Sequence, residues 1–195
     1  VEIEEILDRI DPMPQPFQQK LIQELKLITV PKGHLLMSAD RLADQVYFIK
    51  KGVVRAYVLH QEREVTFWFG QEGDIAMSMN SFTIRKAAFE FLEALESTEV
   101  YAISIETLQD LYRQDIHLAN WGRKFAESEL RLAEERFTAR QFKTARERYE
   151  DFLNNYPGLL QRVQLGYIAS YLGISQVSLS RIRMKPVGLT SSPRG

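Results

Sequence analysis

The sequence predicts an α+β chain: an N-terminal antiparallel β-roll of jelly-roll type, a long helix, and a C-terminal all-α helix-turn-helix domain. Three observations predict it. Between Lys26 and Ser104 short apolar runs alternate with turn signals at near-regular spacing, giving about eight short strands, the texture of an antiparallel barrel or jelly roll. Helical period returns after Ile105 and holds from about Ile116 towards Ala145. Residues Leu165 to Lys185, LGYIASYLGISQVSLSRIRMK, then read as two short amphipathic helices joined by a glycine turn.

Each element has a local reason. Ile3, Ile6, Leu7 and Ile10 share one face of an opening helix, which the Asp11-Pro12-Met13-Pro14-Gln15-Pro16 segment breaks. A second helix with Phe17, Leu21, Ile22 and Leu25 inward carries the chain to about Leu27. Strands are expected at Leu27–Val30, Leu35–Met37, Gln45–Ile49, Val53–His60, Val65–Phe69, Glu90–Leu95 and Val100–Ile105. Pro31-Lys32-Gly33, Lys50-Lys51-Gly52, Gln61–Glu64 and Gly70–Asp74 turn the chain between them. A short helix covers Thr107–Arg113. In the long one that follows, Leu118, Trp121, Phe125, Ser128 and Leu132 trace one apolar stripe, and Ala126, Leu130, Ala133 and Phe137 a neighbouring one. A helix apolar on two adjacent stripes can pack on its own barrel and on a partner helix together, so a homodimer is expected, with Leu118, Trp121, Phe125 and Leu132 at its contact. Thr144–Tyr156 is a further helix with Tyr149, Phe152 and Leu153 inward, closed by Asn154-Asn155-Tyr156-Pro157-Gly158.

In the closing hairpin Leu165, Ile168, Ala169 and Leu172 lie on one face, and Leu179 and Ile182 on the second. Gly173 supplies the left-handed residue that ends the first helix, Ile174 plugs the turn and Ser175 caps the second helix. Gly166 departs from the pattern, since glycine early in a helix costs about 1 kcal/mol against alanine. Gln176, Ser178, Arg181, Arg183 and Lys185 point largely away from the packing. Gln and Arg suit bidentate contacts to adenine and guanine edges, while Ser, Arg and Lys reach phosphates. An ordinary helical hairpin capping a core is the bland alternative.

Composition bounds the function. The net charge of −1 hides an asymmetry: residues 140–195 hold nine Lys and Arg against three Asp and Glu, a balance of +6, and the preceding 139 hold 16 basic and 23 acidic groups, a balance of −7. A basic C-terminal third carrying a helix-turn-helix is the electrostatic footprint of a DNA-binding module. The absence of cysteine excludes disulfides, thiolate-held zinc, iron–sulfur clusters and a thiol nucleophile. The chain begins at Val1, no signal peptide opens it and no apolar run approaches membrane-spanning length, so a cytoplasmic protein without a membrane partner is expected. His34, His60 and His117 are isolated, and no catalytic constellation, cofactor motif or metal spacing stands out. Neither an enzyme nor a cofactor is expected.

The pieces PKGHLL, VYFIKKGVVRAY, FWFGQEGDIA and VYAISIETLQDL, followed by a long helix and RVQLGYIASYLGISQVSLSRIR, resemble the Crp/Fnr transcription regulators over roughly residues 5 to 185, and look closest to Bacteroidetes-type members. The resemblance implies a cyclic-nucleotide-binding-like sensor domain over 1–115, a dimerisation helix over 116–145, a DNA-binding domain over 146–185 and a disordered tail over 186–195 reading PVGLTSSPRG, where family members continue with a helix end or winged hairpin. It implies double-stranded DNA, a second copy of the chain and RNA polymerase as partners. Nucleotide-binding members carry a cassette with Gly-Glu for the ribose and Arg-Ser or Arg-Thr for the cyclic phosphate. Here those positions are Met77-Ser78 and Ala88-Phe89, after a retained Gly73-Asp74. Losing the guanidinium removes charge-assisted hydrogen bonds of roughly 1.5–3 kcal/mol each, so cyclic AMP is not expected to bind. A small gap brings Arg85 to the position instead, with Lys86 behind it. Trp68, Phe82 and Phe91 join Phe67, Phe69, Met77, Ser78, Arg85, Ala88 and Phe89 as candidates for lining a pocket for an unidentified small-molecule effector, or simply as barrel core.

In the family's recognition helix the turn serine precedes two polar base-contacting residues, with an arginine further along. The resemblance places Ser175, Gln176, Val177, Ser178 and Arg181 there, with Arg183 and Lys185 towards phosphate. Val177 replaces the usual acid. The expected function is a homodimeric regulator reading an inverted repeat. Two rivals stand beside it: a signalling module whose helix-turn-helix no longer reads DNA, and an enzyme using the aromatic pocket.

Overall fold

The computed structural model describes residues 1–184. Two compact units divide the chain, the first spanning Val1–Arg136 and the second beginning at Phe137. The first opens with α1 (Ile3–Ile10) and α2 (Gln15–Gln23). There follow β1 (Lys26–Val30), β2 (Leu35–Met37), β3 (Gln45–Lys51), β4 (Val54–His60), β5 (Arg63–Gly70) and β6 (Ile75–Ala76). Next come α3 (Met79–Ile84), β7 (Phe91–Ala94), β8 (Thr98–Ser104) and α4 (Ile105–Gln114), then the long α5 (Ile116–Phe142), which runs on into the second unit. That unit adds α6 (Ala145–Asn155), α7 (Leu159–Arg162), α8 (Leu165–Leu172) and α9 (Gln176–Met184). The expected tail over 186–195, and Lys185 before it, lie outside the described residues.

Two four-stranded antiparallel sheets form the roll, in the orders β1-β8-β3-β6 and β2-β7-β4-β5. In the first, β3 and β8 are buried on both faces while the edge strand β1 is largely exposed, which the two-residue period of a strand makes explicit. Tyr47, Ile49, Val100 and Ala102 point between the sheets, where they meet Met37, Val54, Ala56 and Leu92 of the other sheet. Their neighbours Val46, Phe48, Tyr101 and Ile103 point outward, into a second core completed by Ile3, Ile6, Leu7, Leu21, Ile105, Leu108, Leu118 and Trp121 from the helices. The continuous apolar run Val46–Ile49 is therefore a strand with two cores rather than one.

Helix α5 corrects the sequence reading. Leu118 and Trp121 were expected at the contact between two copies, yet both are buried in the chain's own core. The Trp121 indole N–H donates to the Leu7 carbonyl at 3.0 Å, and its ring stacks on Phe125. Phe125 and Leu132 are half-buried. The reason is register: the first stripe faces the outer surface of the β3/β8 sheet, which supplies an apolar wall. The neighbouring stripe has no such wall, leaving Leu130 64% and Phe137 65% exposed.

Two features escaped the sequence: strand β6 is two residues long, and α3 has no clear period. The turn expected at Gln61–Glu64 closes the β4–β5 hairpin through Gln61 and Glu62, both at positive φ (49° and 63°) without a glycine.

Candidate functional site

The hairpin of α8 and α9 is built as its sequence predicts. Ile168, Ala169 and Leu172 of α8 and Leu179 of α9 are buried together, and Ile182 is half-buried. Gly173 takes φ 68°, and the bonds Gly173 N–H to Ser170 O and Ile174 N–H to Ala169 O, each 3.0 Å, satisfy the last carbonyls of α8. Ser175 Oγ accepts the Ser178 N–H at 3.1 Å, the expected N-cap, and the two hydroxyls are 3.0 Å apart. Ser178 is thus tied to the cap and half-buried. Gln176, Val177, Arg181 and Arg183 are exposed.

Sequence reasoning missed two other arginines here. Arg140 donates to Tyr171 O at 2.9 Å and Arg148 to Leu172 O at 3.1 Å, so both guanidinia cap the C-terminal end of α8. Their only signal was the general basic surplus. All three acids of this region are engaged locally: Glu147 in a capping box with Thr144, Glu150 with Arg146 and Asp151 with Lys143. Hydrogen bonds from the Thr144 N–H and hydroxyl hold the Glu147 carboxyl below its ordinary range. Arg181 and Arg183 make no ion pair or hydrogen bond among the described residues. Among the described residues the outward face of α9 is therefore cationic and unneutralised.

The cassette region is assembled differently. Gly73 turns the chain at φ 94°, and Asp74 accepts the Gln71 N–H at 2.8 Å. Burial pushes the Asp74 carboxyl up to about 6, with Glu129 adding to the rise and Gln71 and Arg9 opposing it. Helix α3 occupies the stretch that follows. Met77 packs half-buried against the helical core, and Ser78 is fully buried with a hydroxyl that finds no partner. Ala88 is buried, and its backbone is bonded on both sides: its N–H donates to Arg41 O and its C=O accepts from Asp40 N–H, each at 2.9 Å. Ser81 Oγ reinforces this by accepting from Ala43 N–H at 3.0 Å and donating to Lys86 O at 2.9 Å. Arg85 sits exposed at the left-handed end of α3 (φ 52°).

The candidate pocket residues do not converge. Phe69 is fully buried, while Phe67 and Phe89 stack at 6.2 Å between ring centres, with Phe89 57% exposed. A cavity of about 170 Å³ lies elsewhere, lined by Leu35, Met37, Arg41, Asp44 and Tyr47 among others. Arg55, only 1% exposed on the outer face of β4, is bound by Glu93 (2.6 and 2.8 Å) and Glu64 (2.5 Å) and lies over the Tyr57 ring at 4.1 Å. Among the described residues no cluster of three His, Asp or Glu could hold a metal, and no helix is long and apolar enough to cross a membrane.

A β-roll of two four-stranded sheets, a long helix and a helix-turn-helix hairpin form the architecture that can be set beside known proteins. Residues 27–115 match the family model described as the cyclic nucleotide-binding domain. FixK2 from Bradyrhizobium japonicum is similar at 24% identity and a TM-score of 0.72, over 82% of this chain and 83% of that one. The catabolite activator protein of Thermus thermophilus is similar at 20% and 0.59, over 92% and 85%. A transcriptional regulator of the Crp/Fnr family from Eubacterium rectale is similar at 17% and 0.68, over 87% and 82%. Comparison with curated proteins gives no match. The fold is shared with these solved Crp/Fnr-type structures, and the match to the cyclic nucleotide-binding domain model falls within the first unit.

Proposed function

We propose that the chain is a homodimeric, non-enzymatic transcription regulator that reads an inverted-repeat operator through α9 and does not respond to cyclic AMP. One observation carries the DNA reading: an N-capped helix whose exposed face presents Gln176, Arg181 and Arg183 with no acid of the same region left to neutralise them. Arg181 is assigned to a base edge and Arg183 to phosphate, with Lys185 as a further phosphate contact from the sequence. Residues 146–185 are the DNA-binding domain in this reading, 1–115 the sensor and 116–145 the dimerisation helix.

The dimer reading rests on the second stripe of α5, Ala126, Leu130, Ala133 and Phe137, which is left without apolar cover. It replaces the contact first assigned to Leu118 and Trp121. Indifference to cyclic AMP rests on Ala88: a methyl group stands where the phosphate would need a guanidinium, and both backbone groups are already bonded. RNA polymerase, an effector of unidentified chemistry and the likeness to Bacteroidetes-type members are carried by the sequence resemblance alone.

The test selects duplexes from a random pool and measures binding at several salt concentrations, with sedimentation and nucleotide calorimetry in parallel. An inverted-repeat site bound with a steep salt dependence by a dimer, and no heat from cyclic AMP or cyclic GMP, is expected. Salt-insensitive or sequence-blind binding would remove the DNA reading, and micromolar nucleotide affinity would remove the indifference.

A further inference from the structure

Gly166 broke the sequence pattern, and the fold supplies a reason for it. An ideal Cβ built on Gly166 would lie 2.6 Å from Gln176 Nε2 and 3.7 Å from its Cδ. The first helix of the hairpin therefore offers, at the one residue without a side chain, the seat on which the Gln176 amide rests. Gln176 is the first residue of α9, directly after the Ser175 cap, so its side-chain direction is fixed by two neighbours: the cap that sets the helix and the glycine that admits the amide. Gly166 does not need its own conformational freedom here, because its φ is not in the left-handed region. What it supplies is space.

We infer that Gly166 is a specificity-determining positioning residue: by admitting the Gln176 amide against α8, it sets which base edge that amide addresses. The inference rests on the proposed DNA reading and deepens it. A carboxamide carries one donor and one acceptor in a fixed plane, so its discrimination of adenine depends on orientation as well as on reach. A methyl group at residue 166 meets only the far end of a flexible side chain. The fold can absorb it by turning Gln176 away, and alanine is the better helix former. The substitution is therefore expected to move the amide and leave the hairpin intact.

The experiment uses the full chain and duplexes selected by the wild type, with every single base substitution in one half-site. Wild type, Gly166→Ala, Gln176→Ala and the double variant are compared. Gly166→Ala should leave the melting temperature no lower, shift the Gln176 side-chain amide resonance, and lower preference at one base pair by roughly ten-fold. The same base pair should respond to Gln176→Ala, and the double variant should be no worse than Gln176→Ala alone, the non-additivity expected of residues acting through one contact. Additive losses, a different base pair, or an unmoved amide resonance would each overturn the proposal. A wild type that selects no sequence overturns the DNA reading and the proposal with it. A wild type that selects an operator, alongside a Gly166→Ala variant with unchanged preferences, overturns the proposal alone.

Discussion

Between Gly73 and Glu90 the buried Ser81 and the backbone of Ala88 are bonded within the chain, whereas on α9 the exposed Arg181 and Arg183 find no partner among the described residues. Ala88 has both backbone groups bonded to the Asp40–Arg41 segment, and Ser81 bridges Ala43 and Lys86. On α9 the cap hydroxyl of Ser175 is engaged, but Arg181 and Arg183 are not. A binding surface needs polar groups whose hydrogen bonds are still available, since a group satisfied internally must first be released. The difference teaches that one chain can satisfy the polar groups of one segment internally and leave those of another open to solvent. The same contrast runs along α5, where Trp121 is committed to the core and Leu130 and Phe137 are not.

The largest effects test that commitment. Trp121→Ala should cost about 3–5 kcal/mol in urea unfolding, because it empties a fully buried site and removes the indole hydrogen bond to the Leu7 carbonyl. Leu130→Glu should leave monomer stability within ~0.5 kcal/mol and instead shift sedimentation towards monomer. Equal destabilisation by the two would erase the distinction between the stripes.

The arginines come next. Arg55→Ala should lower stability by about 2–4 kcal/mol, less than a wholly buried pair would lose because Glu64 can turn to water. Arg181→Ala should leave thermal unfolding unchanged and cost about 1–3 kcal/mol on the selected operator, measured by fluorescence anisotropy against a scrambled duplex. If scrambled DNA loses as much, Arg181 is a phosphate contact.

Asp74 gives a pH-dependent intermediate effect. Its folded carboxyl, pushed up to about 6, holds its proton more tightly than the unfolded chain's at an ordinary 3.8. Its stabilising effect is therefore complete below the unfolded value and is lost as pH rises through about 6. Asp74→Asn, whose amide oxygen can still accept from Gln71 N–H, should raise stability at pH 7 by about 1–2 kcal/mol and flatten the profile between pH 4 and 6 in chemical denaturation.

The smallest effect is at Ser78. Its buried hydroxyl has no partner among the described residues, so Ser78→Ala should change the unfolding midpoint little or raise it, within about 1 kcal/mol. A loss of 2 kcal/mol or more would mean that the hydroxyl is satisfied in solution, by water or by a ligand.

The sequence by itself determined whatever depends on neighbours in the chain. The strand texture of 26–104, the Pro-rich break before α2, the cap at Ser175 and the turn at Gly173 are local, and each has its own residue signature. That residue 88 is an alanine was legible too, but its two backbone bonds to Asp40 and Arg41 were not. What only the tertiary structure decided is which of several equivalent groups becomes buried. Two apolar stripes on α5 look alike in sequence, and the β3/β8 sheet chose the one bearing Leu118 and Trp121 because it offers an apolar wall to that side alone. Arg55 reads as a solvated strand residue until Glu93, its cross-strand neighbour, and Glu64 close over it. Gly166 reads as a helix defect until Gln176 is laid against it. Each outcome turns on contacts made across the fold, for which residue type and period carry no information.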